Sequence, residues 1–315
     1  VRREDLRRLT KIGSTQLMFE QLVAQARQTV QDDSQPIDRR VEAVRTLGLA
    51  EFDAELQRLF HRLLGPGQPV PMQLAICETV AKFDHPEVAD LLLDRWSQMT
   101  PSVRRMTIET FLSRPAWTNK LLDAVAARIV SPGDVDQSRI QWLMTQADET
   151  TAARLRDLFP TDRGARRETV IASYQSSLNM AGDSARGRKA YERVCAACHK
   201  RGDVGKAIGP PLNDTSRRSA ATLLVDILDP NRQLKPLFHN YVLQTIDGRV
   251  YTGMITEETS NAVTLQQADG TSRQILRLQI EELKSTGVSF MAEGLEKSIN
   301  KQAMADLLIY LAGKP

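Results

Sequence analysis

The feature that most constrains the fold is a pair of helical segments that recurs every thirty-odd residues through the first half of the chain. The first segment of each pair has a proline near its start and carries an apolar stripe. These stripes align at Val41, Leu74 and Met106, which are 33 and then 32 residues apart. Helix pairs that repeat at such a period bury their apolar faces by stacking on one another, so the pattern predicts an α-solenoid.

These degenerate helix pairs resemble HEAT-like repeats, and an irregular helical bundle is the alternative. We predict that residues 1–181 form a HEAT-like helical repeat domain. A break follows at residues 179–187 (NMAGDSARG), which are rich in small and turn-forming residues. The second predicted domain therefore covers residues 182–315.

A β-rich stretch interrupts the second domain at about residues 240–284. Runs of β-branched and aromatic residues alternate there with turns, two of which are the pairs Asp247-Gly248 and Asp269-Gly270. An Asp-Gly pair between such runs is a strong hairpin signal. We therefore predict a small β-barrel-like insert of SH3-like size, followed by one closing amphipathic helix.

Composition narrows the possible classes of function. The chain has 42 basic and 39 acidic residues, and a net charge of +3 gives no argument for nucleic-acid binding. No uncharged apolar run reaches the length of about 18 residues that a spanning helix needs, so we predict no transmembrane segment. The chain begins without a charged and then apolar leader, and we expect a mature product or a fragment.

Two of the three cysteines lie in the motif Cys-Ala-Ala-Cys-His at residues 195–199. C-x-x-C-H is the attachment motif of c-type haem, in which the thiols add to the vinyl groups and the histidine binds iron. A zinc site would need a second ligand pair, and a thioredoxin-like redox pair would need a βαβ context. The motif predicts one covalently attached haem c on Cys195 and Cys198, with His199 as an iron ligand.

The sequence around this motif resembles class I cytochrome c. The stretch GRKAYERVCAACH is similar to the N-terminal helix of that family, with Gly187 four residues before Tyr191. The stretch MADLLIYLAG is similar to its C-terminal helix, with Tyr310 as the aromatic residue that packs between the two helices. A small residue against an aromatic one lets the helices cross closely. The expected fold class is therefore mainly α, with the solenoid followed by a class I cytochrome c-like domain that carries the β-barrel-like insert.

The stretch IGPPL at residues 208–212 resembles the Gly-Pro-x-Leu loop of the same family. The resemblance implies that the carbonyl group of Pro210 accepts a hydrogen bond from Nδ1 of His199, which fixes the tautomer of the imidazole. It also implies that Leu212 packs on the haem face and that Arg218 lies near a haem propionate. Arg217 is the alternative to Arg218.

A narrower resemblance covers residues 182–315. The β insert followed by SFMAEGLEKSINKQAMADLLIYL is similar to the haem-binding CxxCH domain of the Planctomycetes/Verrucomicrobia type. The resemblance implies that Met291 is the second axial ligand of the iron, and Ala292 stands where the family has a proline. His239 is the leading competitor and is otherwise expected on the surface at the edge of the insert. The other candidates considered, which we expect to be poorly placed or to pack in a core, are Met180, Met254 and Met304.

These features predict a monohaem c-type cytochrome that transfers single electrons and uses its repeats to bind other protein subunits. The alternatives are the electron-accepting C-terminal part of a larger dehydrogenase and a scaffold protein that a haem stabilises. Residues 1–180 show no catalytic motif, so whether the chain is an enzyme stays open. The expected partner is a redox protein or an associated dehydrogenase, with no nucleic acid. Haem c attachment takes place outside the bacterial inner membrane, so we expect a periplasmic or cell-surface location.

Overall fold

The computed structural model of the chain describes residues 13–160, 162–232 and 234–313, with side chains from residue 16 onward and excluding 162–166. The outermost residues of both predicted domains, 1–12 and 314–315, lie outside this description. The helices are α1 (Gly13–Gln31), α2 (Ile37–Leu47), α3 (Ala54–Leu63), α4 (Val70–Val80), α5 (Glu87–Asp94), α6 (Pro101–Leu112), α7 (Pro115–Ala126), α8 (Gln137–Gln146), α9 (Glu149–Leu158), α10 (Asp162–Tyr174), α11 (Ser184–Val194), α12 (Ala220–Leu228) and α13 (Lys301–Ala312). The strands are β1 (His239–Thr245), β2 (Val250–Glu258), β3 (Ala262–Gln266), β4 (Ser272–Leu276) and β5 (Ile280–Ser289).

The first nine helices stack on one another in chain order. Helices α2, α4 and α6 pack against one another in turn, and α3, α5 and α7 form a second layer beside them. The contacts show the same period as the sequence: residues about thirty positions apart are in contact in neighbouring repeats. Nζ of Lys120 lies 2.9 Å from Asp90, and the hydroxyl group of Thr110 donates to the carbonyl group of Cys77 at 3.1 Å. One hydrophobic core, which extends from Ala26 to Phe159, fills the space between the layers.

A second core lies among helices α10 to α13. Ile171 of α10 is buried in it together with Tyr191 of α11 and Met304 of α13. The hydroxyl group of Tyr174, at the end of α10, donates to the carbonyl groups of Glu296 and Ile299 at 3.0 and 2.6 Å. The second core therefore includes a helix that precedes residue 182.

The predicted fold class is wrong, because the chain combines helices with an open sheet. The insert is a five-stranded antiparallel sheet in the order β4-β3-β2-β1-β5, so β4 and β5 form opposite edges and the barrel is not closed. Turn residues and the alternation of apolar and polar residues predict hairpins. Closure of a barrel depends on the tilt and stagger of all the strands together, which the sequence of a single strand does not determine. The chain is therefore not a mainly-α cytochrome with a barrel insert.

The fifth strand extends beyond the predicted insert and ends at Ser289. It pairs with β1, where Leu243 lies opposite Leu283 and Tyr241 opposite Ser285. Within β5 the residues that are fully buried are Leu283 and Ser285. With two buried positions in ten residues, β5 gives a weak strand signal although it contains Ile280, Thr286 and Val288.

Buried arginines join the sheet to the helical repeats. Arg104 of α6 is 3% exposed, and its guanidinium donates to the carbonyl group of Leu283 in β5 and lies 3.6 Å from Asp134. Arg277, which follows β4, donates to the carbonyl group of Gln98 at 2.7 Å. A buried guanidinium needs such acceptors because leaving it unpaired costs several kcal/mol, on the order of 3–5. These contacts hold the sheet at one position on the repeats.

Candidate functional site

The CxxCH motif forms the turn that ends helix α11. Asp183 caps the start of this helix by accepting the N–H of Arg186 at 2.8 Å. At the other end the N–H of Cys195 donates to the carbonyl group of Tyr191 at 2.8 Å, and the N–H of His199 donates to that of Cys195 at 2.9 Å. These bonds place both thiols and the imidazole on one ordered turn.

The imidazole of His199 is fixed by one hydrogen bond. Its Nδ1 atom lies 2.8 Å from the carbonyl oxygen of Pro210. Because a carbonyl oxygen only accepts, Nδ1 carries the hydrogen and Nε2 keeps the lone pair that can bind a metal. This is the bond that the resemblance predicts for these two residues.

The loop after the motif is built closely around this ring. The N–H groups of Ile208 and Gly209 both donate to the carbonyl group of Cys198, at 3.0 and 2.7 Å. A Cβ atom on Gly209 would lie 2.8 Å from Cε1 of His199 and 3.0 Å from Nδ1. Only glycine therefore lets the loop approach the imidazole this closely.

The sulfur of Cys195 lies in an apolar environment. Cys195 and Leu212 both pack against the second core. Burial raises the pKa of the Cys195 thiol to about 12. A reactive redox cysteine needs the opposite shift, since the thiolate is the nucleophile. A partly buried and uncharged sulfur is instead compatible with a thioether, which carries no charge at any pH.

These observations together fit a covalently attached haem c. Cys195 and Cys198 offer two sulfurs on one turn, His199 offers Nε2, and Leu212 offers apolar surface beside them. Across the part of the chain that the structure describes, no group of three or more His, Cys, Asp or Glu side chains is placed to hold a metal ion.

Met291 follows the last strand in a loop that has its own anchors. The N–H of Met291 donates to Oγ of Ser289 at 3.1 Å, and the N–H of Phe290 donates to the carbonyl group of Phe238 at 2.8 Å. The N–H of Ser289 also donates to Oδ1 of Asn231 at 2.6 Å. The half-buried Met291 is thus held by the segment after α12 and the segment before β1, separately from the contacts around His199.

The competing ligands have packing positions. Met254 is 5% exposed in strand β2, and Met304 is fully buried in the second core, which are the positions expected of packing residues. Met180 is partly exposed ahead of α11. The expectation that His239 lies on the surface is wrong. His239 is 7% exposed, its Nδ1 lies 3.0 Å from Oγ of Ser285, and burial lowers its pKa.

Arg218 forms an ion pair with Asp226 of α12 at 2.7 Å, with about half of its side chain exposed. Burial raises the pKa of Asp226, and the positive charge of Arg218 opposes that shift. The residue predicted to lie near a propionate is thus already beside one carboxylate.

Arg201, two residues after the motif, is a residue of the site that the sequence did not identify. It is 1% exposed and donates to the carbonyl groups of Leu212, Tyr310 and Gly313 at 2.6, 2.8 and 2.6 Å. Its guanidinium also lies 4.8 Å from the centre of the Tyr310 ring. A cation there is favoured by the negative end of the α13 dipole. Arg201 thus links the loop around His199 to the end of the last helix.

Helices α11 and α13 cross at Gly187. A Cβ atom there would lie 2.0 Å from the carbonyl oxygen of Asp306 and 2.7 Å from Cβ of Tyr310. This confirms the close crossing predicted from Gly187 and Tyr310. The Tyr191 hydroxyl group donates to the carbonyl group of His199 at 2.5 Å, which connects the crossing to the motif.

The carboxylate of Asp306 strengthens this crossing. It accepts two hydrogen bonds from Arg186, at 2.7 and 2.8 Å, and one from the N–H of Asp183 at 2.8 Å. The hydrogen bonds from Arg186 lower the pKa of Asp306 to about 2. The side chain of Asp306 is 4% exposed, whereas that of Arg186 is 58% exposed.

We expect Asp306→Asn to destabilise the second core by about 1–2 kcal/mol at neutral pH, after allowance for solvent around Arg186. The folded pKa lies below the ordinary value of 3.8. The contribution is therefore complete above about pH 4 and is lost as the pH falls towards 2. Urea unfolding of both proteins between pH 7 and pH 3 measures this, with exposed Asp203→Asn as the control. A difference from wild type that does not shrink below pH 4 would contradict the assignment.

No model of a known protein family matches the chain, and no curated protein matches it. Over the described residues, every helix is too short or too polar to cross a lipid bilayer.

Proposed function

We propose that the chain is a monohaem c-type cytochrome that transfers single electrons, with a C-terminal part similar to the haem-binding CxxCH domain of the Planctomycetes/Verrucomicrobia type. One observation carries the proposal. The histidine of a C-x-x-C-H turn donates Nδ1–H to the Pro210 carbonyl group at 2.8 Å, inside a loop that fits the His199 ring closely. That arrangement leaves Nε2 available to iron.

Each residue of the site has a defined role in this proposal. Cys195 and Cys198 would hold the porphyrin through thioether bonds, and Nε2 of His199 would bind the iron. The Pro210 carbonyl group fixes the orientation and basicity of the imidazole. Leu212, with the second core behind it, excludes water from one face. Haem c itself supplies the one-electron ferrous/ferric couple.

Met291 and Arg218 complete the proposed site. If the Met291 sulfur bound the iron, it would favour the ferrous state and raise the potential relative to a histidine ligand. Arg218 would then share its charge between Asp226 and a propionate. With His199 and Met291 both bound to the iron, electron transfer would be favoured over substrate chemistry at the iron.

We propose that the helical repeats bind the protein partners. Stacked helix pairs present extended surfaces for other proteins. The sheet is fixed to these repeats through Arg104 and Arg277, so a protein bound there would have a defined position relative to the sheet. The partner would be a redox protein or the catalytic part of a dehydrogenase, in the periplasm or at the cell surface.

The full chain, expressed with haem c attachment machinery, should carry one covalent haem and give a low-spin spectrum. Cys195→Ala and Cys198→Ala should each leave one thioether bond, and the double variant should lose its haem in denaturant. Mass spectrometry under denaturing conditions measures attachment. Cys77→Ala is the control, because this buried thiol pairs with Thr107 within the first core. A chain that matures without haem, or a double variant that retains it under denaturing conditions, would refute the proposal.

A further inference from the structure

The turn between strands β3 and β4 lies against the loop that follows the CxxCH motif. A Cβ atom on Gly270 would be 3.4 Å from Cδ1 of Ile208 and 3.7 Å from Nζ of Lys206. Asp269 is charged beside them, since hydrogen bonds from Thr271 and, more weakly, the Lys206 ammonium lower its pKa. One tip of the sheet thus has both apolar and charged neighbours in this loop.

The contacted part of the loop is the part that surrounds His199. The N–H of Lys206 donates to the carbonyl group of Ala196 at 3.0 Å, and the N–H of Ile208 donates to that of Cys198 at 3.0 Å. Ile208 is followed directly by Gly209, which packs against the imidazole. Because Gly209 is bonded to Ile208 and packs against the imidazole, a movement of Ile208 should also move the imidazole.

The sheet is anchored elsewhere, so the turn has a defined position. Besides Arg104 and Arg277, Glu258 at the end of β2 accepts the N–H of Ser102 from the helical repeats at 3.0 Å. Strand β2 is hydrogen-bonded to β3, which in turn carries β4. The β3–β4 turn is therefore supported from the repeats through the sheet.

We propose that the β3–β4 turn is a positioning element for His199, in which Gly270, Ile208 and Lys206 are positioning residues. The inference rests on the proposed function, because its consequence is the tuning of a haem potential. The Pro210 carbonyl group keeps the imidazole basic by accepting its Nδ1–H. Loosening the loop lengthens this hydrogen bond, makes the imidazole a weaker donor to ferric iron, and raises the potential.

Two matched turns provide the test. Gly270 and Gly248 both follow an aspartate in a hairpin turn, with φ of +93° and +79°. A Cβ atom at Gly270 would make ordinary van der Waals contacts with Ile208 and Lys206, and we expect the amide group of a larger side chain to push against them. Nothing lies within 4 Å of a Cβ atom at Gly248. Asparagine tolerates positive φ, so Gly270→Asn and Gly248→Asn share the backbone cost and differ in the contact.

The first measurement is amide hydrogen exchange of Ile208 and Gly209 in the haem-free full chain. Gly270→Asn should accelerate this exchange about tenfold, which corresponds to about 1.4 kcal/mol, while Gly248→Asn leaves it within about twofold. Ile208→Ala should accelerate the exchange as Gly270→Asn does, whereas the conservative variant Ile208→Val should leave it slow. In the haem-loaded chain, the midpoint potential should rise in Gly270→Asn and Ile208→Ala alone.

The two measurements separate this inference from the proposed function. Equal exchange and equal potentials in the Gly270 and Gly248 variants overturn the positioning role, even if the chain carries haem. Selective acceleration in Gly270→Asn, in a chain that never acquires covalent haem, supports the positioning of His199 and refutes the cytochrome.

Discussion

Gly187→Ala is expected to destabilise the second core strongly, although alanine is the better helix former. Helix propensity alone would stabilise α11 by about 1 kcal/mol. The added Cβ atom would lie 2.0 Å from the Asp306 carbonyl oxygen of α13, where the Cβ position is fixed by the α11 backbone and the oxygen belongs to the α13 backbone. Because no rotamer change can relieve the overlap, the helices must separate, which we expect to cost about 3 kcal/mol or more.

Separation of the two helices also breaks the contacts that lead to the motif. The Tyr191 and Tyr310 rings, whose centres are 5.5 Å apart, pack at the same crossing. Urea unfolding measures the loss of stability, and hydrogen exchange in α13 and α4 assigns it to the second or the first core. Exposed Lys189→Ala on the same helix is the control. A Gly187→Ala chain as stable as wild type would contradict the crossing geometry.

The repeat architecture could be read from the sequence because each repeat contacts its neighbours. Val41, Leu74 and Met106 keep their spacing since the same packing recurs along the stack, and all three pack against the first core. No repeat spacing in the sequence indicated that α10 belongs to the second core. Ile171 is apolar in a helix like those before it, and only the tertiary structure decides that it faces the second core.

The sheet was predicted in part because hairpin signals are local. Both Asp-Gly pairs form turns between strands, at positive φ for Gly248 and Gly270. The openness of the sheet and the fifth strand were missed. Strand β5 is stabilised by pairing with β1 and by the bond from Arg104, which are contacts between distant parts of the chain.

In the candidate site, too, local features could be predicted and long-range contacts could not. Cys195, Cys198 and His199 lie within one turn, so their chemistry can be read from their spacing. Arg201 and His239 could not be placed from the sequence. Their burial depends on the end of α13 for Arg201 and on the junction of the sheet with the repeats for His239.

Met291→Ala is expected to have the largest effect on the proposed haem. Oxidised wild type should show the weak long-wavelength sulfur-to-iron charge-transfer band of His/Met haem, and the variant should lose it. Its ferrous form should bind carbon monoxide, because the second axial position becomes open. Met291→His should stay six-coordinate with a potential lower by about 100 mV or more, within the range of about 0.8 V that axial ligands span.

Two buried methionines are the matched controls for this test. Met254→Leu and Met304→Leu conserve volume, so each should cost less than about 1.5 kcal/mol and leave the band and the potential nearly unchanged. Loss of the band in Met254→Leu, with retention in Met291→Ala, would assign the ligand to the sheet and refute Met291.

Because of Ala292, we also expect the charge-transfer band to depend on temperature. The loop is anchored before Met291 at Ser289 and Phe290, and after it at Glu293, whose carboxylate accepts a hydrogen bond from Asn231. Between these anchors, Ala292 stands where the resemblance to the haem-binding CxxCH domain implies a proline. Without a proline the backbone next to Met291 is less restricted, so the sulfur should be released at a lower temperature than that at which the second core unfolds. The charge-transfer band should therefore fade on warming before the far-ultraviolet circular dichroism changes, and coincident loss of both signals would show that the loop and the core unfold together.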